Sequence, residues 1–216
     1  MWFLESGMTF ENLLARMLAI VVIAFFVLPF HEYAQGLIAY KLGDDTPKLA
    51  GRLTLNPMAH FSGFGAVWLL LFDYGWAHRI PINPNNFRKP KRDLAIIGIA
   101  GPISYLFASV LGGFLLNFVT IFVNKNIINI LTMFIFYYIS INISLAVFNL
   151  IPIFPMDGFK IIQAFIPQKF VEKFYRNYHT ITWVIIILML FGFFSPFMTF
   201  LERILYKLII KITCFI

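Results

Sequence analysis

Residues 20–42 read IVVIAFFVLPFHEYAQGLIAYKL, an apolar run that passes into a stretch of mixed polarity. With the residues before it, the run predicts a helix over about residues 13–42, which is long enough to cross the roughly 30 Å hydrocarbon core of a bilayer. Pro29 predicts a kink just before His31 and Glu32. Ionisable side chains in an apolar helix are costly in lipid, so this pair indicates a functional site.

The composition agrees with a membrane protein, because 60% of the 216 residues are hydrophobic and only 12% are charged. Further apolar runs predict spans over residues 93–123, 127–151 and 180–200, giving an all-α protein with about four transmembrane helices. The apolar stretch 64–72 is too short to cross a bilayer, and we expect a re-entrant loop or a short β segment there. Residues 201–212 predict a C-terminal amphipathic helix at the membrane interface.

We therefore expect a single integral membrane domain over residues 1–216, with C-terminal helices in 180–216. The net charge of +7 comes from Lys and Arg in the loops between apolar runs, as in cytoplasmic loops, so it indicates membrane orientation and not a nucleic-acid partner. The chain has one cysteine, Cys214. A disulfide within the chain and a cysteine-based zinc site are both excluded, so a metal would need His, carboxylate or amide ligands.

The HEYAQ segment matches HExxH in all but its last position. In HExxH two histidines at i and i+4 face zinc from one side of a helix, and the glutamate between them acts as general base on a bound water. Here His31 and Glu32 are present, whereas Gln35 takes the place of the second histidine. Alone, this segment is a weak signal.

Other motifs follow in a specific order and spacing: GRLTLNPMAH at residues 51–60, YGWA at 74–77, PINPNNFRKPKRDLA at 81–95, AGPIS at 100–104 and NLIPIFPMDG at 149–158. Over roughly residues 20–165 this pattern resembles the compact site-2 protease family of intramembrane zinc metalloproteases. The resemblance implies a protease-like core over about residues 13–165 in a multi-pass protein of a prokaryotic cell membrane. It also implies a Zn²⁺ cofactor and a membrane-protein segment as substrate.

Carried over by position, the resemblance implies that His31 and Asp157 are zinc ligands and that Glu32 is the general base. Gln35 would then stand at an altered ligand position. Asn149 would help to position the substrate backbone, although capping of a helix end explains it equally well.

The glutamine at position 35, where the family motif has histidine, leaves two functions open. A neutral amide is a poor substitute for imidazole on zinc, so the chain is either an active protease or a pseudoprotease that binds membrane segments without cutting them. His60 is a candidate replacement ligand, and a role in hydrogen bonding the loop that supports Glu32 is the favoured alternative. A transporter ranks below both, since no inverted repeat is evident.

Overall fold

The computed structural model describes residues 9–123, 125–153 and 156–213, and all regular elements within these ranges are helical. Cys214 and two residues of the last motif, Phe154 and Pro155, lie outside the described residues. The helices are α1 (Phe10–Val22), α2 (Leu28–Lys41), α3 (Thr46–Leu49), α4 (Pro57–His60), α5 (Gly63–Phe72), α6 (Pro90–Phe122), α7 (Lys125–Leu150), α8 (Asp157–Ile162), α9 (Gln168–Arg176), α10 (Tyr178–Leu190) and α11 (Ser195–Thr213).

Three helices among the described residues are long and apolar enough to cross a membrane, namely Phe10–Lys41, Pro90–Phe122 and Ile128–Leu150. They correspond to the first three predicted spans. The large apolar side chains left exposed on α6 recur at helical spacing, as lipid-facing residues do. They include Ile99, Ile103, Phe107, Leu111, Phe114 and Phe118.

The fourth predicted span, residues 180–200, is not one continuous helix, because a turn separates α10 from α11. Gly192 has φ +70°, a left-handed conformation that favours glycine. Its N–H donates to the carbonyl of Met189 and the N–H of Phe193 donates to that of Leu188. These two bonds form a Schellman motif, which ends a helix and allows the chain to turn.

The segment predicted as a re-entrant loop or short β segment is the ten-residue helix α5 and not a strand. The Ser62 hydroxyl accepts a hydrogen bond from the Gly65 N–H and caps the helix start, and Asp73 ends it in the left-handed conformation. The predicted C-terminal amphipathic segment lies within α11, which packs along α6 and α7 and buries Met198 and Ile209.

The long first helix is distorted just before Pro29, as the sequence predicts. A π-helical turn, Ile23–Val27, joins α1 to α2, and Pro29 lies in the first turn of α2. Proline lacks an N–H and its ring crowds the preceding turn, and a widened turn accommodates both effects without breaking the helix. The polar half, α2, packs against α6 and so brings its buried face to the centre of the molecule.

Candidate metal centre and active site

The polar face of α2 is buried. His31 and Gln35, four residues apart, lie on one side of the helix and are 5% and 1% exposed, and Glu32 beside them is 5% exposed. Side chains of this kind are seldom buried without polar partners. Their partners come from α6, from α8 and from the loop before the 3₁₀ turn Pro84–Asn86.

Asp157 is the first residue of α8 and completes a compact cluster with α2. Its Oδ2 lies 3.3 Å from His31 Nε2 and accepts a hydrogen bond of 2.8 Å from Gln35 Nε2. Gln35 Nε2 is also 3.1 Å from His31 Nε2. The structure thus brings together three residues that the sequence assigned to the metal site, although Gln35 and Asp157 are 122 residues apart in the chain.

The close approach of α6 depends on two glycines. A Cβ on Gly101 would lie 2.5 Å from Gln35 Nε2 and 2.6 Å from His31 Cε1, well inside van der Waals contact. A Cβ on Gly98 would lie 2.8 Å from the Asp157 carbonyl oxygen. Gly101 therefore forms one wall of the cluster, and Gly98 lets α8 lie directly against α6.

The orientation of His31 is set from α6. Ser104 Oγ donates to the Gly101 carbonyl at 2.6 Å and lies 3.4 Å from His31 Nδ1, and the ring of Tyr105 stacks on the imidazole at a centroid distance of 4.5 Å. Because the hydroxyl proton is used on Gly101, Ser104 Oγ is an acceptor for Nδ1–H. Nε2 is then unprotonated and faces the cluster, which is the tautomer of a metal-binding histidine.

Two of the donor atoms have a spacing that fits zinc. Ligands at 2.0–2.1 Å in a tetrahedral site are about 3.3–3.4 Å apart. His31 Nε2 and Asp157 Oδ2, 3.3 Å apart, match this spacing, and the amide of Gln35 stands beside both. No group of three His, Cys, Asp or Glu side chains is placed to hold a metal within the described residues, and here the third member is an amide.

The amide of Gln35 presents its nitrogen to the cluster, while its Oε1 accepts a hydrogen bond of 2.5 Å from Lys160 Nζ. Lys160 also donates to Asp157 Oδ1 at 2.9 Å. Burial raises the pKa of the Asp157 carboxyl, but the charge of Lys160 and its hydrogen bond to the carboxylate outweigh burial, and the pKa lies below its ordinary value. Asp157 is therefore a carboxylate at neutral pH.

Glu32 is held from the loop that follows the YGWA motif. Its Oε2 accepts a hydrogen bond of 2.7 Å from the backbone N–H of Ile80. Its other oxygen, Oε1, lies 3.9 Å from His31 Nε2 and faces the cluster. This is the geometry of a base with one oxygen fixed by the backbone and the other directed at the site.

His60 is fully buried but has other partners. Its Nε2 lies 2.8 Å from the Thr54 carbonyl and its Nδ1 lies 3.4 Å from Arg52 Nη2, so neither ring nitrogen is directed at the cluster. The His60 carbonyl accepts from the His78 N–H at 2.7 Å. These contacts place His60 beside the loop that leads to Ile80, and its role, as a replacement ligand or as a support for the loop that holds Glu32, stays a prediction.

Asn149 lies near the end of α7 and is 8% exposed. Its side-chain N–H donates to the Leu145 carbonyl at 2.9 Å within the same helix. It borders a cavity of about 300 Å³ whose other lining residues include Trp68, Trp76, Arg79 and Met156. Met156 precedes Asp157 and Arg79 precedes Ile80, so this cavity adjoins the cluster.

Sequence reasoning missed two contributors to the site. Lys160 was not among the predicted site residues, although its spacing of three residues from Asp157 on a helix could have signalled a contact. Ser104 belongs to the AGPIS motif but was given no role. Its contact with His31 depends on the packing of α6 on α2, which the sequence does not specify.

Comparisons with known proteins point to one family. The profile of Peptidase family M50 matches residues 18–193. The chain is 40% identical, over 140 residues, to the Bacillus subtilis (strain 168) protein named "Putative zinc metalloprotease YwhC". That match covers 63% of this chain and 64% of the Bacillus protein.

No solved structure matches the chain. The family profile covers most of the sequence, including the helices that carry His31, Glu32 and Asp157. The family is one of metalloendopeptidases, and the resemblance that the motifs predicted is confirmed. The chain belongs to peptidase family M50.

Proposed function

We propose that this protein is a site-2-type intramembrane zinc metalloprotease that cleaves membrane-embedded peptide segments. The observation that carries the proposal is the convergence of His31 Nε2, Asp157 Oδ2 and the Gln35 amide within 2.8–3.3 Å of one another beside Glu32. His31 and Asp157 would hold zinc, with Gln35 at the third protein position. Zinc, when bound, polarises the scissile carbonyl and makes a water molecule nucleophilic near neutral pH.

The protein side chains then have separate tasks. Glu32 accepts a proton at Oε1 while the Ile80 N–H holds Oε2, so the carboxylate need not reorient during proton transfer. Ser104 and Tyr105 fix the imidazole of His31. Burial of the cluster excludes bulk water, which strengthens each of these electrostatic contacts.

The substrate segment would occupy the apolar cavity next to the cluster. Its lining of Trp68, Trp76 and Met156 suits a hydrophobic peptide, and the amide of Asn149 offers a polar group for a peptide backbone. A helix satisfies its own backbone groups, so a segment must be locally unwound before its carbonyl can reach the site. We propose a partly unwound membrane segment as the substrate.

The remaining assignments belong to the same proposal. The exposed apolar side chains of α6 support a lipid bilayer as surroundings, in a multi-pass protein of a prokaryotic cell membrane. We propose one integral domain over residues 1–216, with the protease-like core at about 13–165 and C-terminal helices in 180–216. A membrane-protein segment is the proposed partner, and a nucleic acid is not.

One observation favours a second function, a pseudoprotease that binds membrane segments without hydrolysis. The two N–H bonds of Gln35 satisfy His31 and Asp157, so the cluster is hydrogen bonded without a metal. The comparisons give this second function no support, and we rank it below the protease.

The test measures zinc content and cleavage of a single-span helical substrate by the purified full-length protein in lipid. Wild type, Glu32→Gln and Gln35→His are compared. The protease requires zinc in the wild type and cleavage that Glu32→Gln reduces by about 10²- to 10⁴-fold while the zinc content stays unchanged. Zinc and cleavage only in Gln35→His would reject it in favour of the pseudoprotease.

A further inference from the structure

Lys160 is a charged side chain in the site that the proposed chemistry does not use. Its Nζ lies 2.5 Å from Gln35 Oε1 and 2.9 Å from Asp157 Oδ1, so it contacts two of the three residues assigned to the metal. A lysine ammonium is a donor only and cannot serve as a ligand while charged. A positively charged side chain beside a proposed cation site must therefore have another role than that of a ligand.

The two ends of the Gln35 amide have opposite polarity. The nitrogen faces an imidazole lone pair and a carboxylate oxygen, and the oxygen faces the ammonium of Lys160. A metal ion requires the oxygen, because an amide nitrogen is a donor group without a usable lone pair. Turning the amide over would place its oxygen against Asp157 Oδ2 and its N–H groups against Lys160 Nζ, and both contacts are repulsive.

Lys160 also satisfies the carboxylate that a metal would use. Asp157 accepts from Lys160 at Oδ1 and from Gln35 at Oδ2, so both of its oxygens are engaged. A divalent cation entering the cluster meets a like charge close by in a site shielded from water, where repulsion is strong.

Lys160 has room to withdraw. Its side chain is 20% exposed, compared with 6% for Asp157, while its Cβ packs where a side chain on Gly98 would otherwise lie. The stem is thus held at its base and the ammonium is near water. Lysine heads readily reach solvent from such positions.

We propose that Lys160 is a positioning residue that competes with the metal by holding the Gln35 amide with its nitrogen toward the cluster. Zinc enters only when the ammonium withdraws and the amide turns over. The inference rests on the proposed function for the identity of the metal alone.

The experiment measures zinc dissociation constants of the purified full-length protein by competition with a chromophoric chelator. The variants are Lys160→Met, Lys160→Arg, Gln35→His and the double variant Gln35→His/Lys160→Met, with Lys169→Met as an exposed-lysine control on α9. Lys160→Met is expected to bind zinc roughly 10- to 100-fold more tightly than wild type, the scale of an outer-shell change. Lys160→Arg and Lys169→Met should bind like wild type.

The double variant tests the amide itself. Imidazole at position 35 has no carbonyl for Lys160 to hold, so the effect of Lys160→Met should shrink to a few-fold in that background. An equal effect in both backgrounds would mean simple charge repulsion and would overturn the role of the amide. Unchanged or weaker zinc binding by Lys160→Met overturns the proposal, as does absence of zinc from every variant.

Thermal unfolding of the metal-free variants separates an effect on zinc binding from an effect on folding. Without zinc, Lys160→Met should melt below wild type, because Gln35 Oε1 and Asp157 Oδ1 lose their donor, and Lys169→Met should not. If Lys160→Met does not fold, Lys160→Ala, which also removes the donor but keeps the Cβ that packs at Gly98, replaces it under the same criteria. If Lys160→Met binds zinc more tightly but no variant cleaves the substrate, the protease is rejected and this inference stands. If the substrate is cleaved but Lys160→Met binds zinc as wild type does, the protease stands and this inference is rejected.

Discussion

Replacing Gly101 with alanine should disable the site while leaving the fold intact. The new Cβ would lie 2.5 Å from Gln35 Nε2 and 2.6 Å from His31 Cε1. Ordinary non-bonded contacts are about 3.5–4.0 Å, so these side chains must retreat by roughly 1 Å. A displacement of that size costs on the order of 10²-fold in catalysis. We expect kcat/KM and zinc affinity to fall by about that factor.

The expected change in stability is small. Overpacking costs about 1–3 kcal/mol, and replacing a helical glycine with alanine regains about 1 kcal/mol. A matched control is Gly112→Ala on the same helix, where the Cβ would meet Ile139 and Tyr138 of α7 at 2.8 and 3.0 Å. This substitution creates a similar steric overlap at a position away from the cluster.

The assays are zinc titration, cleavage of the helical substrate and thermal unfolding, in the wild-type and Gln35→His backgrounds. Gly101→Ala should lose zinc and activity with a melting temperature within a few degrees of Gly112→Ala, which should keep both. Full zinc affinity in Gly101→Ala would refute the placement of the site against α6. An equal loss in Gly112→Ala would show that the effect is global.

Three further perturbations test other contacts. Ser104→Ala removes the acceptor for His31 Nδ1–H and should weaken zinc binding by about 10- to 100-fold in the chelator assay; an unchanged affinity would contradict the assigned tautomer. Asp73→Asn keeps the left-handed backbone but removes the charge paired with buried Arg16, so it should destabilise the fold by about 3 kcal/mol in thermal unfolding, and no change would mean that the pair is not formed. Burial raises the pKa of Asp44, but hydrogen bonds from its neighbours outweigh burial and leave the pKa below its ordinary value of 3.8. The ionised carboxylate therefore stabilises the fold above pH 3.8, and this stabilisation is lost as the pH falls through the lower pKa of the folded state. Asp44→Asn should flatten this acid limb in melting curves recorded from about pH 5 downward, and an unaltered limb would assign it to other groups.

The three long helices were predictable because hydropathy alone marks them. The sequence predicted helices over about 13–42, 93–123 and 127–151, and the structure has helices Phe10–Lys41, Pro90–Phe122 and Lys125–Leu150. Apolar runs of this length have few other solutions in lipid, so local sequence is sufficient. Gly43 follows α2 with φ +107°, a left-handed conformation in which glycine commonly ends a helix.

The break between α10 and α11 was missed for a physical reason. Residues on both sides of Gly192 are apolar, so a hydropathy window averages over the turn. The signal was present in Gly192 followed by Ser195 and Pro196, a helix stop and a new helix start. Backbone conformation, not polarity, ends the helix there.

The site was predictable in its members but not in its hydrogen bonds. Helical spacing and family motifs brought His31, Gln35 and Asp157 into one prediction, and the structure places them together, while their roles as ligands stay predictions. The partners of His60 and the reach of Lys160 depend on contacts between segments far apart in the chain. No local pattern encodes these.

An amide at position 35 is compatible with the fold. Its N–H groups donate to the same two atoms, His31 Nε2 and Asp157 Oδ2, whose lone pairs a metal ion would bind. The nitrogen of Gln35 lies between His31 Nε2 and Asp157 Oδ2, and Lys160 balances the carboxylate. These contacts satisfy the polar groups between α2 and α8 from within the chain. Under the two proposals, loading with zinc would be an exchange between two satisfied arrangements of the same side chains, and Lys160 together with Gln35 would set its equilibrium.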